Sequence, residues 1–332
     1  MVGSSRQVLN QSASSDLPLI NLTYKPVYTQ YLSLLKMSKM YLAASALLVG
    51  TAVMAVVLFA LPAAHSPPHH LSERDDCSLF QKQLEELQVG HQRTNVLLNK
   101  LLCLAKEVLP SGGFCLDNNK LVVGGNNMWS GQLCAGLEQL FGNTTVADLG
   151  AGLGHYGRCF LRRSEGILNH PNKVEIENIN KDYLHQMARA GLHGTPQVIK
   201  SWHGWDGAAN IDEFTNGRIA SADLSSPATL GGPFDWVMSL EVGEHIPESG
   251  EKNFLDNLVK HACVGVVLSW AVPGQGGHSH VNCRSNDYVR KEMAAQGLES
   301  DKLAEVKLRK NVDQLTYFMN TLMVFRYPKK RC

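Results

Sequence analysis

The chain predicts an α/β fold built on a doubly wound, mostly parallel sheet, and three features of its text predict it. The first is Thr145 to Gly157, TVADLGAGLGHYG, where a short apolar run ends in a carboxylate and a glycine-rich turn opens a helix at Tyr156 to Leu161. The second is recurrence downstream: further short runs close at Asp206, at Asp223-Leu224 and over Phe234 to Leu240. The third is Gly265 to Trp270, GVVLSW, an unbroken apolar run of the kind a strand covered on both faces shows. Open sheets of this class bind ligands beyond the carboxyl ends of their strands, so the residues closing these runs are the candidates for contact.

With 332 residues the chain accommodates one or two domains. Its 31 basic and 30 acidic residues nearly cancel, and no basic stripe or aromatic-basic cluster stands out, so no nucleic-acid partner is expected. Tyr41 to Ala64 carries no charge and is long enough to cross an apolar core of ~30 Å, which reads as a single transmembrane helix rather than a cleaved signal. Lys36 and Lys39 precede this span, and Glu73, Asp75 and Asp76 follow it. That bias assigns residues 1–40 to a disordered cytosolic tail and the bulk of the chain to a lumen, Golgi or ER, or to the exterior. All eight cysteines come from Cys77 onward, on the side where thiols can pair, although spacing leaves the connectivity open. Asn143-Thr144-Thr145 is a glycosylation sequon on the same side.

Residues 65–112 read as a proline-interrupted linker and a helical stem. Leu84, Leu87, His91, Thr94, Leu98, Leu101, Ala105 and Val108 recur at spacings of three and four, a weak coiled-coil pattern, with Pro110 and Gly112-Gly113 as its stop. Such a stem either packs on its own domain or pairs with a second copy as a homodimer. The catalytic domain then occupies 113–332. Its expected elements are a helix over Gln132 to Phe141, a helix after Gly157 reaching about Arg163, helices over Glu251 to His261, Asp287 to Gln296 and Asp301 to Asn311, and a last strand over Tyr317 to Tyr327. An acid at the end of strand two, about 20 residues past the glycines, usually meets ribose hydroxyls. Glu175 and Glu177 lie near that spacing. Asp206 lies further on and requires an insertion over 164–197; it is preferred because the strands after it are evenly spaced.

Two readings of the glycine turn compete. Gly152, Gly154 and Gly157 fit the dinucleotide pattern G-x-G-x-x-G, which points to a nicotinamide oxidoreductase. The other reading takes Asp148, Gly150, Gly152 and Gly154 together, because an acid at the strand tip suits an ammonium and repels a pyrophosphate. Phe234 to Pro247, FDWVMSLEVGEHIP, adds an independent segment at a fitting distance. On both segments, from about Val146 to Tyr327, the chain resembles class I S-adenosylmethionine (SAM) dependent methyltransferases. The resemblance implies a Rossmann-like domain that uses SAM as cofactor and methylates an acceptor that no motif identifies. It implies that Asp148, Gly150, Gly152 and Gly154 hold the methionine end of SAM, and that Asp206 receives the ribose hydroxyls. Asp223 and Leu224 would border the adenine, and Glu241 would stand beside the sulfonium. A methyltransferase fold kept only as an interaction module is the non-enzymatic alternative.

A base is needed only where the acceptor must lose a proton, and histidines titrate in the right range. His245 and His280 are the candidates, with His278 in the same loop; the bland alternative is hydrogen bonding to their own loops. Asp223, followed by Ser225-Ser226-Pro227, could likewise simply cap a turn. No C-x-x-C occurs, and a set of His278, His280 and Cys283 lacks an obvious fourth ligand, so no metal is expected.

Overall fold

The computed structural model describes residues 73–163 and 168–332. The expected tail, the span 41–64 and the linker up to residue 72 lie outside the described residues, as do the sequons at Asn10 and Asn21. No helix among the described residues is long and apolar enough to cross a membrane.

Strands β1 (Thr145–Leu149), β2 (Ser201–Asp206), β3 (Ile219–Ser221), β4 (Phe234–Ser239), β5 (Ala262–Leu268), β6 (Glu299–Ser300) and β7 (Met323–Arg326) form one sheet in the order β3-β2-β1-β4-β5-β7-β6. The first five are parallel, and β7 runs antiparallel to both of its neighbours. The α/β class with a mostly parallel, Rossmann-like sheet therefore holds. An antiparallel strand inserted at the β5 edge departs from the order 3-2-1-4-5-6 of dinucleotide-binding sheets. The order reverses between β1 and β4, where crossovers leave to opposite faces and the strand ends part.

The helices are α1 (Glu73–Leu102), α2 (Gly131–Phe141), α3 (His155–Phe160), α4 (Lys173–Arg189), α5 (Ile211–Phe214), α6 (Glu251–His261), α7 (Asn286–Ala295), α8 (Lys302–Lys310) and α9 (Phe318–Thr321). Side chains alternate across a strand, so successive residues feed opposite layers. Val146, Trp236, Met238 and Val267 pack with Leu133, Leu137, Phe160, Tyr183 and Leu308 on one face. Ala147, Val237, Val266 and Leu268 pack with Phe254, Leu258, Val289 and Met293 on the other. Four helices begin where the text supplies a side-chain acceptor for an orphan N–H. Ser130 accepts from Leu133, Asn172 from Glu175, Ser285 from Tyr288 and Asp301 from Ala304.

Disulfides join Cys103 to Cys115, Cys134 to Cys159 and Cys263 to Cys332. The second ties α2 to α3 under the sheet, and the third pins the C-terminus to the start of β5. Cys283 is free.

The stem departs from its expected end. Helix α1 stops at Leu102, eight residues before Pro110, because Cys103 turns to pair with Cys115 while Leu102 packs on Leu109 and Ala209. Lys100 adds contacts of 3.0 Å to Asp212 and 2.9 Å to Glu213. The expected seam residues Leu84, Leu87, Leu98 and Leu101 are exposed. Gly112-Gly113 is not a helix stop either. A Cβ on Gly112 would lie 2.0 Å from the His245 carbonyl oxygen, and one on Gly113 2.0 Å from that of Gly207, so the pair is needed for close backbone approach.

Three further boundaries differ. The expected strand over Tyr317 to Tyr327 is helical at Phe318–Thr321 and extended only at Met323–Arg326; the helical turn delivers Thr321 to Glu241. Strand β5 starts at Ala262, directly on the end of α6. Within 164–197 stands the 17-residue α4, whose Tyr183 and Met187 join the core, so the segment is an integral layer of the fold.

Replacing both Cys134 and Cys159 with alanine is expected to lower stability by about 2–4 kcal/mol, read as a lower denaturant midpoint. Non-reducing peptide mapping of the wild type should recover the three pairs.

Candidate functional site

At the β1/β4 reversal the strand ends open onto a cavity of about 430 Å³. Its wall carries five carboxylates, Asp148, Asp206, Asp223, Glu241 and Glu244, and among the described residues no lysine or arginine lines it. The acids arrive from the ends of four strands or the loops just after them, Glu241 and Glu244 sharing the loop after β4, which is how a parallel sheet gathers residues far apart in sequence.

Asp148, the penultimate residue of β1, is 2% exposed. Its Oδ2 accepts a hydrogen bond of 3.3 Å from Trp202 Nε1, and no cation among the described residues pairs with it. Burial, with the nearby Asp206 charge adding, raises its pKa from 3.8 to about 7. The turn that follows needs glycine twice over. Gly150 and Gly152 have φ of 92° and 54°, and a Cβ on either would lie 2.2 Å from Val242 Cγ2 or 2.6 Å from the Asn126 carbonyl oxygen. Gly154, grouped with them by the resemblance, heads α3 and is not on the cavity wall.

Asp206 closes β2 and binds the glycine turn directly. Its Oδ2 accepts from Gly152 N and its Oδ1 from Ala208 N, both at 2.8 Å. Burial raises its pKa although part of the carboxylate opens to the cavity. The rival acids are elsewhere. Glu177 is exposed on α4 and pairs with Lys181 at 2.9 Å. Glu175 accepts from the N–H groups of Leu121 and Val122, bracing the segment before α2. Asp223, just past β3, lines the cavity and also caps its turn: Oδ1 accepts from Ser225 N and Oγ, and Oδ2 from Ser226 Oγ. The neighbouring Leu224 is buried on the same wall.

The loop after β4 supplies the other half. Glu241 adopts φ 55°, its N–H donates to Ser269 Oγ at 2.8 Å, and its carboxylate accepts from Gln275 Nε2 at 2.7 Å and Thr321 Oγ1 at 3.3 Å. Burial raises its pKa. Glu244 is fully buried, and neither of its carboxylate oxygens has a hydrogen-bond partner. Burial, then the Glu241 charge, holds it well above the ordinary carboxylate range.

His245 Nδ1 lies 3.3 Å from the Ser279 carbonyl, and His280 Nδ1 lies 3.1 Å from that of Gln275. A carbonyl only accepts, so each ring carries its proton on Nδ1 and keeps an Nε2 lone pair. Burial, with His280 alongside, lowers His245 to about 4. The two rings meet edge to face at 5.0 Å between centroids, whereas His278 is half exposed and stacks on Phe114. Cys283 Sγ lies 4.0 Å from His280 Nδ1, the nitrogen already turned to Gln275, so the set of His278, His280 and Cys283 does not assemble.

Several wall residues were not legible. Gly112, Gly113, Phe114 and Asn126 arrive from the segment before α2, and Tyr317 and Phe318 from beside α9. Their only textual signals were a glycine pair and loop-forming asparagines. Glu244 was legible within Glu241-x-x-Glu244-His245, but nothing in that spacing announces a buried, unpartnered carboxylate.

No protein-family model matches the chain, and no curated protein matches it by sequence. Solved structures do resemble it. A magnesium protoporphyrin IX methyltransferase from Synechocystis, solved with bound SAH, is 13% identical and aligns over 59% of this chain and 82% of its own, with a TM-score of 0.34. The N-methyltransferase NodS from Bradyrhizobium japonicum, in complex with S-adenosyl-L-homocysteine, is 14% identical over 60% of this chain and 84% of its own, with a TM-score of 0.33. Likeness at this level leaves the activity to be argued from the site.

Proposed function

We propose that this chain is a SAM-dependent methyltransferase. The observation that carries the reading is a cofactor-sized cavity walled by five carboxylates and, among the described residues, by no lysine or arginine. SAM brings a sulfonium and an ammonium, whose charges such a wall attracts. A nicotinamide dinucleotide brings a pyrophosphate, which would face Asp148 and Asp206 with no cation to offset them.

In this reading Asp148 meets the ammonium, and the bare peptide of Gly150 and Gly152 lets the methionine end lie close. Each Asp206 oxygen holds one backbone N–H and retains a lone pair for a ribose hydroxyl. Asp223 and Leu224 border the base, and Glu241 stands beside the sulfonium. Bound SAM would supply an electrophilic methyl carbon, its carbon–sulfur bond breaking with the electron pair left on sulfur as the bond to the acceptor forms. Positioning and exclusion of water carry most of the rate in such a displacement. The Nε2 atoms of His245 and His280 remain free for an acceptor's proton or for a cation.

The reading also keeps the span 41–64 as a membrane anchor, with the described unit on the oxidising side. Three disulfides support that compartment, and Asn143 stands exposed before β1.

The purified protein should gain thermal stability with SAM, by about 2.7 kcal/mol at a hundredfold excess over Kd, and none with NADH; the reverse pattern overturns the assignment. The pH response has a definite sign. Asp148 has a folded pKa of about 7 against 3.8, so its ionisation costs the ligand-free protein stability as pH rises through that interval. A cation on Asp148 needs the ionised form, so SAM affinity should rise roughly tenfold from pH 6 to pH 8, and Asp148→Asn should bind weakly with that slope gone, as titration calorimetry would read. For the topology, a glycosidase-sensitive mobility shift lost in Asn143→Gln is expected from membrane fractions, and modification at Asn10 or Asn21 instead would invert the orientation.

A further inference from the structure

We propose that Glu244, His245 and His280 form a binding site for one divalent transition-metal ion on the acceptor side of the cavity. One ligand atom from each residue can be chosen so that all lie within 4.8 Å of one another. Donors 2.0–2.2 Å from one tetrahedral ion stand about 3.4 Å apart, so the widest pair needs to close by at most about 1.4 Å. His280 Nε2 already lies 3.9 Å from Glu244 Oε1, too far for a hydrogen bond and within the span of two ligands across one ion.

Glu244 supplies the second, independent observation. A carboxylate with no exposed surface and no hydrogen-bond partner on either oxygen is costly to bury ionised, and a dication can take the place of the proton that otherwise offsets that cost. The Glu241 carboxylate adds negative charge nearby, while its own oxygens are occupied by Gln275 and Thr321. Both imidazoles are oriented as metal-bound histidines are, with Nδ1–H on a backbone carbonyl and Nε2 free.

The surrounding structure fixes the two loops that meet here. The Glu244 carbonyl accepts from Val281 N and Asn282 N, both at 2.9 Å. Glu251, at the head of α6, accepts from Asn282, Arg284 and Tyr288 and so anchors the loop that carries His280. Gly277 lies flat on the His280 ring: a Cβ there would come 2.0 Å from Nε2. Two imidazoles and a carboxylate suit zinc, iron, manganese or cobalt, whereas magnesium and calcium favour all-oxygen sets. All three residues line the cavity, so the remaining coordination positions are open to a ligand there. The site itself stands apart from the methyltransferase reading. The role of the ion, drawing an acceptor oxygen or nitrogen into line with the methyl group, rests on it.

The test uses the full-length protein, stripped with chelator and titrated with Co²⁺ alone while visible absorption is followed. One equivalent should give a saturating spectrum, Zn²⁺ should displace it, and Zn²⁺ should raise the melting temperature. Glu244→Gln and His280→Ala should each lose the spectrum while keeping the circular dichroism of the wild type, and His193→Ala, a change at an exposed histidine, should titrate as wild type. Should a ligand variant fail to fold, Gly277→Ala displaces the His280 ring without removing a ligand and should weaken Co²⁺ at least tenfold. A wild type without saturable absorption, a Glu244→Gln protein titrating unchanged, or undiminished affinity in Gly277→Ala overturns the site. SAM stabilisation without Co²⁺ binding would sink the metal and spare the methyltransferase; Co²⁺ binding without SAM stabilisation would do the opposite.

Discussion

Burial of carboxylates at the strand ends, with repulsion between neighbouring acids adding to it, is the constraint around which the rest of the molecule is arranged. Two acids on adjacent strands, Asp148 and Asp206, lie in a low-dielectric setting with no cation beside them, and Glu241 and Glu244 repeat the arrangement across the cavity. Charges in such surroundings interact several times more strongly than in water. The ligand-free cavity therefore holds unfavourable charge that a cationic occupant relieves. A site built this way selects for positive ligands through its own cost.

The fold tolerates that charge through backbone N–H groups and distant clamps. Gly152 and Ala208 donate to Asp206, so the glycine turn serves as partner to the acid as well as bed for a ligand. On the opposite wall Gln275 and Thr321, brought from the loop after β5 and from α9, hold Glu241. Glu251 and its three donors keep the His280 loop in register with Glu244. One half of the cavity is thus defined by main chain and the other by side chains on two long loops, and the second half is the one that can vary with the acceptor.

The segment before α2 has more influence on the site than its loop-like text suggests. Gly112 and Gly113 bring main chain against the carbonyls of His245 and Gly207, and Asn126 presses on Gly152. The Cys103–Cys115 bridge anchors the start of this segment, and Glu175 of α4 braces its middle. An acid that by spacing rivalled Asp206 for the ribose thus braces the segment that presses on the glycine turn.

Strand tips, glycine turns and helix caps were readable from the text because each depends on neighbours within a few residues. Asp148, Asp206, Asp223 and Glu241 could be named for that reason, as could helix α6, whose apolar positions recur at helical spacing. Contacts that close over long sequence separation were not readable. The end of α1 at Leu102, the helical turn at Phe318–Thr321, the withdrawal of Gly154 from the cavity wall and the isolation of the Glu244 carboxylate depend on partners far away in the chain. Local sequence determined the kind of sheet and the chemistry at its strand ends, since backbone preference and side-chain alternation act over short range. Tertiary structure alone decided which of those groups share a cavity and which are left without a partner, because burial is a property of the whole packed molecule.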